Sequence, residues 1–201
     1  MTTAYQEVFD RASSLSINKR RKVSSTVSRS GVIKNTSVGG QVWEFEVRLP
    51  DGPRFSDYRS IIQDMETADR VTEAQVSIPQ DYIAGPVGGL GVSGTINVAA
   101  TQGSSSLTVN TNTSNSNFRL KRGDYIQLGS AGKVYSVTND QTSSTSVIGV
   151  HRPILDATAN YNLVIGNQVT WDVICVQWPN YTIFGYDQVS WSGPFIFVEA
   201  I

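Results

Sequence analysis

His151 is the sole histidine of the 201-residue chain, and Cys175 is its sole cysteine. A zinc centre draws three or four ligands from His, Cys and acidic side chains, so this pair does not make one. A Ser-His-Asp triad would have to run through His151, in Val150-His151-Arg152-Pro153, and no Gly-x-Ser-x-Gly elbow presents a serine. We expect His151 to be a hydrogen-bonded structural residue at a strand end. Cys175, between Ile174 and Val176, reads as a small buried hydrophobe, and a lone cysteine cannot form an internal disulfide.

Glycosidases need two carboxyls facing each other across a cleft. Asp64, Glu66 and Asp69 fall on a helical stretch with Asp81 nearby, a placement that usually means solvated acids. Gly88-Gly89-Leu90-Gly91 lacks the Lys-Ser/Thr ending of a phosphate loop, and Asn139-Asp140-Gln141-Thr142 lacks the spacing of a calcium loop. The expectation is a protein that is not an enzyme, with no catalytic residues, no metal and no cofactor.

Charge points elsewhere. The net charge is −1, which gives no global attraction to nucleic acid or to an anionic membrane. Locally, Arg11 to Trp43 holds no acid but holds Arg11, Lys19, Arg20, Arg21, Lys22, Arg29 and Lys34, whereas the acids gather between Glu44 and Asp81. Such a split suits either a subunit that meets its neighbours through opposite charges or a solvated basic edge. No run reaches the roughly 20 apolar residues of a membrane helix, so no membrane insertion is expected. Met1 to Asp10 is polar and lacks a basic-then-apolar leader pattern, which leads us to expect synthesis in a cytoplasm.

The elements that must carry these residues are mostly strands. Ser, Thr, Asn, Gly and Val dominate, with β-branched runs broken by Gly and Asn clusters. In Val42 to Leu49, Trp43, Phe45, Val47 and Leu49 alternate with Glu44, Glu46 and Arg48, the period of a half-buried strand. Val23 to Ile33 alternates loosely before it, and Val38-Gly39-Gly40 between the two reads as a hairpin turn. A single helix of about 14 residues is predicted after Asp51-Gly52-Pro53, with Asp51 as its capping acid and Phe55, Tyr58, Ile62 and Met65 on its apolar face. Val76 and Ile78, stopped by Pro79, read as a short strand.

Ala84 to Gly91 is the strongest predicted boundary, since its four glycines and one proline suit neither helix nor central strand. A second β-rich stretch follows, with strands expected at Gly94–Ala100, Ser105–Thr111, Asp124–Leu128, Lys133–Thr138 and Thr145–Val150 and an exposed loop over Thr111 to Asn117. Val169–Trp178 and Ser190–Glu199 read as two long strands that hold three of the four tryptophans. An edge so apolar must be covered, so these strands are expected to return to the first sheet. This gives a mainly β chain: residues 1–84 with 167–201 as one domain, and 85–166 as an insertion.

The order of pieces carries a resemblance. It begins with Asn18-Lys19-Arg20-Arg21-Lys22-Val23, then Gly39-Gly40-Gln41-Val42-Trp43-Glu44-Phe45-Glu46-Val47, the amphipathic helix and the Gly-rich exit. Leu120-Lys121-Arg122-Gly123-Asp124-Tyr125-Ile126-Gln127-Leu128, Gly132-Lys133-Val134-Tyr135-Ser136-Val137-Thr138 and Phe195-Ile196-Phe197-Val198-Glu199 complete it. This resembles structural tail proteins of contractile- and long-tailed bacteriophages, in particular distal tail and baseplate hub proteins related to tail-tube proteins, and it covers most of residues 15–201.

The resemblance implies a split β-barrel with one packed α-helix and an inserted small β-barrel domain. It also implies a homo-oligomeric ring, hexameric in the family, that joins the tail tube to the baseplate hub or tail tip. Its lumen passes DNA without specific binding, and the chain would reside in the virion tail. The large carbohydrate-binding C-terminal domain of some relatives is not expected. Lys19, Arg20, Arg21, Lys22 and Arg29 are then expected at a subunit interface or the lumen, and Trp43, Phe45, Trp171, Trp178 and Trp191 in the core or at interfaces.

Two other readings compete. A carbohydrate-binding tail module for host attachment would stack sugars on Tyr125, Tyr135 and Tyr161. A cell-wall hydrolase would need an acid-base pair or metal set that the sequence does not display.

Overall fold

The computed structural model describes residues 3–68, 71–79, 96–112, 120–141 and 146–201, and leaves aside the side chains of residues 20–23, 35–39 and 111–112. The predicted boundary at Ala84–Gly91 and most of the Thr111–Asn117 loop lie outside the described residues, as do Asp69 and Asp81. The chain is mainly β, with thirteen strands and two α-helices among the described residues. By contact it divides into two compact units, Met1–Gln75 with Asp172–Ile201, and Val76–Trp171.

The first unit opens with a helix that the sequence reading missed, α1 (Ala4–Asp10), capped by the Thr3 hydroxyl, which accepts from the Gln6 amide. Seven residues are too few for a periodic signal, yet Tyr5, Val8 and Phe9 are all buried. Two long antiparallel strands follow, β1 (Ser14–Val27) and β2 (Ile33–Arg48), paired from Ser14 opposite Arg48 to Val27 opposite Ile33.

Their turn is at Ser28–Val32 and not at Val38-Gly39-Gly40, which corrects the expectation. Gly31 takes φ +78 and donates to the Ser28 carbonyl, and the Ser28 hydroxyl accepts from the Val32 amide. The Gly-Gly pair instead sits inside β2, where Val38, Gly39 and Gly40 oppose Lys22 as a bulge in the register. Glycine within a strand marks bulges as readily as turns.

The amphipathic helix is α2 (Phe55–Ala68), which buries Tyr58, Ile61, Ile62 and Met65. Asp51 does not cap it. The Asp51 carboxylate accepts from the Trp191 amide and the Ser190 hydroxyl, both at 3.0 Å, while Asp187 accepts from the Ser56 amide at 3.3 Å in the first turn. A short strand, β3 (Glu73–Ser77), follows the helix.

Near the other end of the chain come β10 (Thr170–Gln177), the hairpin β11 (Tyr181–Phe184) and β12 (Gln188–Trp191), and β13 (Phe195–Glu199). The single strand expected over Ser190–Glu199 is therefore two, broken at Ser192-Gly193-Pro194 and assigned to different sheets. The five-stranded sheet runs β1-β2-β13-β10-β3. In it β13 lies between β2 and β10, pairing Phe195 with Val47 and Phe197 with Phe45.

A connected aromatic core results. Phe9 meets Phe45 at 5.8 Å and Phe197 at 5.1 Å, Tyr5 meets Phe197 at 5.3 Å, and Phe195 meets Trp191 at 5.4 Å. Ring pairs at these separations stabilise beyond the area they bury, by about 0.5–1.5 kcal/mol each.

In the second unit, β4 (Ile96–Ala100), β5 (Ser106–Asn112), β6 (Tyr125–Leu128), β7 (Val134–Ser136), β8 (Val147–Gly149) and β9 (Ala159–Ile165) form a sheet ordered β7-β6-β9-β4-β5-β8. β9 was absent from the sequence reading, because its exposed Asn160 and Asn162 interrupt the inward Tyr161, Leu163 and Ile165 and resemble a loop. The sheet curls until its end strands meet: Val137 bridges Val150, and the Thr138 amide donates to the Gly149 carbonyl at 3.0 Å. Ile96, Val98, Leu107, Leu120, Ile126, Leu128, Tyr135 and Ile148 fill the interior.

Candidate functional site

The most distinctive construction in the first unit is the far half of the β1–β2 hairpin. β13 pairs with β2 only as far as Val198 opposite Glu44. From Trp43 to Ile33, β2 pairs with β1 alone among the described residues, a span of roughly 35 Å at ~3.3 Å per residue. We call this span the arm.

Its root is fixed by a small cluster. The buried Glu199 carboxylate accepts from the Trp43 amide at 3.3 Å, and the Lys19 ammonium lies 5.1 Å from the centre of the Trp43 ring. Partial loss of water around Lys19 lowers its pKa from the ordinary lysine value. The tip is the opposite case: Val27, Val32 and Ile33 are 68%, 54% and 65% exposed, and Arg29 and Lys34 beside them are exposed too.

The same unit holds a groove of about 350 Å³ between α2 and the segment around β11. Ile61, Ile62 and Met65 line it from the helix, and Trp178, Tyr181 and Trp191 line it from the strands, with the exposed Glu66 also at its lining. Trp191 packs on Tyr58, Tyr181 and Phe195, and its buried indole N–H finds no acceptor among the described residues. Beyond the groove, the β11–β12 hairpin exposes Ile183, Phe184 and Tyr186.

The expected site residues separate accordingly. Trp43 and Phe45 are wholly buried in the first unit. Trp171 is buried in the second unit, edge-on to Tyr125 at 5.7 Å. Trp178 and Trp191 are half-buried and line the groove. Lys19 stands at the arm's root and Arg29 in its turn, and the backbone of Arg20, Arg21 and Lys22 runs along the arm, their side chains lying outside the described atoms. Arg11 is engaged within the unit, lying over the Tyr58 ring at 5.0 Å and donating to the Asp57 carbonyl at 3.0 Å. The groove was not foreseen, because it joins α2 to residues more than a hundred positions away.

The residues weighed for chemistry have structural partners. His151 Nδ1 accepts from the Ser136 amide at 2.9 Å. Cys175 is buried, with its thiol donating to the Gln177 carbonyl at 3.4 Å. The Asp140 carboxylate accepts from the Arg122 amide and from Lys121 Nζ, and these bonds, the Arg122 amide first, hold its pKa below the ordinary aspartate value. Tyr135 is sealed in the interior of the second unit. Its hydroxyl donates to Asp156 at 2.6 Å and accepts from the Leu155 amide, and burial raises its pKa. No group of three or more His, Cys, Asp or Glu side chains placed to hold a metal occurs among the described residues. No protein-family model matches the chain, and no curated protein matches it.

Proposed function

We propose that this chain is a ring-forming structural subunit of a bacteriophage tail, placed between the tail tube and the baseplate hub or tail tip. In this reading the first unit is a split β-barrel of the tail-tube kind, and the second is a small barrel inserted into it. Six copies surround a lumen for DNA, and the subunit resides in the virion.

The observation that carries the reading is the arm. A two-stranded ribbon is marginally stable in water without further strands or a packed face. This one extends well past its last partner strand and exposes Val27, Val32 and Ile33 beside its turn, and β1 is the outermost strand of the five-stranded sheet among the described residues. An open edge of this kind is satisfied by another strand, and a ring of identical chains supplies one at every position. The described side chains on the arm that carry charge are basic, Lys19, Arg29 and Lys34, whereas α2 is acidic on balance, with exposed Asp57, Asp64 and Glu66 against one exposed Arg59. Head-to-tail rings require two different complementary surfaces per subunit.

The carbohydrate-binding alternative loses support at Tyr135, whose ring is inside the core and cannot stack on a sugar. The ring reading is tested by electron microscopy of the purified full chain and of its parent particle after labelling this subunit. Closed rings in the first and a label at one fixed level of the tail axis in the second are the expected results. A particle with no label along its tail would end the proposal.

A further inference from the structure

We propose that the arm tip of one copy seats in the groove of the next, making a directional contact between subunits; the inference rests on the ring reading above.

Four observations converge on this occupant. The tip exposes Val27, Val32 and Ile33 in its own chain, so it does not occupy its own groove. It is also a shaped element: the Ser28–Val32 turn is closed by the Gly31 and Val32 bonds to Ser28, which places Val27 directly opposite Ile33. The groove is apolar along Ile61, Ile62 and Met65 and has room for a few aliphatic side chains. Finally, the charges match, with Arg29 and Lys34 on the tip and Glu66 at the groove.

Rim charges of opposite sign fix register and speed encounter, while the aliphatic residues supply the burial. Tip and groove are different surfaces, so the contact is heterologous. Repeating it generates a closed ring or an open helix according to the rotation between neighbours.

The test uses the full-length chain and sedimentation analysis, with circular dichroism melts as the check on folding. Two variants disable one partner each: Val27→Ser with Ile33→Ser at the tip, and Glu66→Lys at the groove. Each should melt like the parent and weaken self-association about tenfold or more. Mixed together they keep one competent tip and one competent groove, so the mixture should stop at a one-to-one pair. Arg29→Glu with Lys34→Glu should also dissociate the assembly, and adding Glu66→Lys to that variant should restore it to within about threefold.

Variants that fold and assemble like the parent overturn the docking while leaving the ring intact. A mixture that grows beyond the pair does the same. A parent chain that stays monomeric at millimolar concentration overturns the ring reading and the docking with it. Quenching of tryptophan emission by oligosaccharides, unchanged in the tip variants, would assign the groove to a sugar and also overturn the docking.

Discussion

Single residues in the second unit set hard steric limits. Gly132 is glycine because a Cβ there would run into the Leu128 carbonyl and crowd the Asp156 carboxylate. Gly132→Ala should cost about 2–4 kcal/mol in urea unfolding, in the range of overpacking against backbone that cannot retreat. Gly40→Ala is the control, since a Cβ at Gly40 meets open space, and it should change stability by less than about 0.5 kcal/mol. Asp51 makes a prediction about pH. Its carboxylate is stabilised by the Trp191 amide first and the Ser190 hydroxyl second, so its folded pKa lies below the ordinary aspartate value. A depressed folded pKa means that the stabilisation is present above the unfolded value and disappears as pH falls through the folded one. A carbon-detected NMR titration should place the Asp51 midpoint below that of an unstructured aspartate. In Ser190→Ala the midpoint should move back up, and an unshifted midpoint in the parent would refute the assignment.

Elements are joined by a few buried polar groups. Gln127 in β6 is 1% exposed, and its amide nitrogen donates to the Gly132 and Thr170 carbonyls while its oxygen accepts from the Thr170 amide. Gln127→Leu preserves bulk but strands these backbone groups, so it should lower stability by about 2–4 kcal/mol in chemical denaturation. A loss under about 0.5 kcal/mol would show that water replaces the amide there. Such anchors were invisible in the sequence, where Gln127 reads as an ordinary polar position in a strand. What could be read was what local chemistry governs. Trp43, Phe45 and Val47 are buried as their alternation predicts, and α2 has the predicted length and apolar face. The turn at Ser28–Val32 was misread because Gly39-Gly40 is the stronger turn signal when partner strands are unknown. α1 was too short to show a period. The groove could not be read because Trp178, Tyr181 and Trp191 reach α2 only after the chain has passed through the whole second unit.

At the scale of the molecule, folding and assembly should be separable. Replacing residues 24–36 with Asn-Gly closes the hairpin at Val23 opposite Ser37, a pair the strands already make. The removed residues that are described are exposed, so the melting temperature should shift by no more than about 4 °C. Light scattering should meanwhile show the loss of rings, and a shortened chain that still forms them would remove the arm from the interface. The position of β13 has a further effect on the order of events in a cell. The strand at the centre of the first sheet is made only after α1, β2, α2 and the whole second unit, and until Phe195 and Phe197 emerge, the aromatic rings of α1 and β2 lack these partners. A half-made chain therefore offers neighbours a hairpin without a finished body behind it. Polymerisation should wait until β13 has been made, which would keep polysomes from being cross-linked by chains that still lack it.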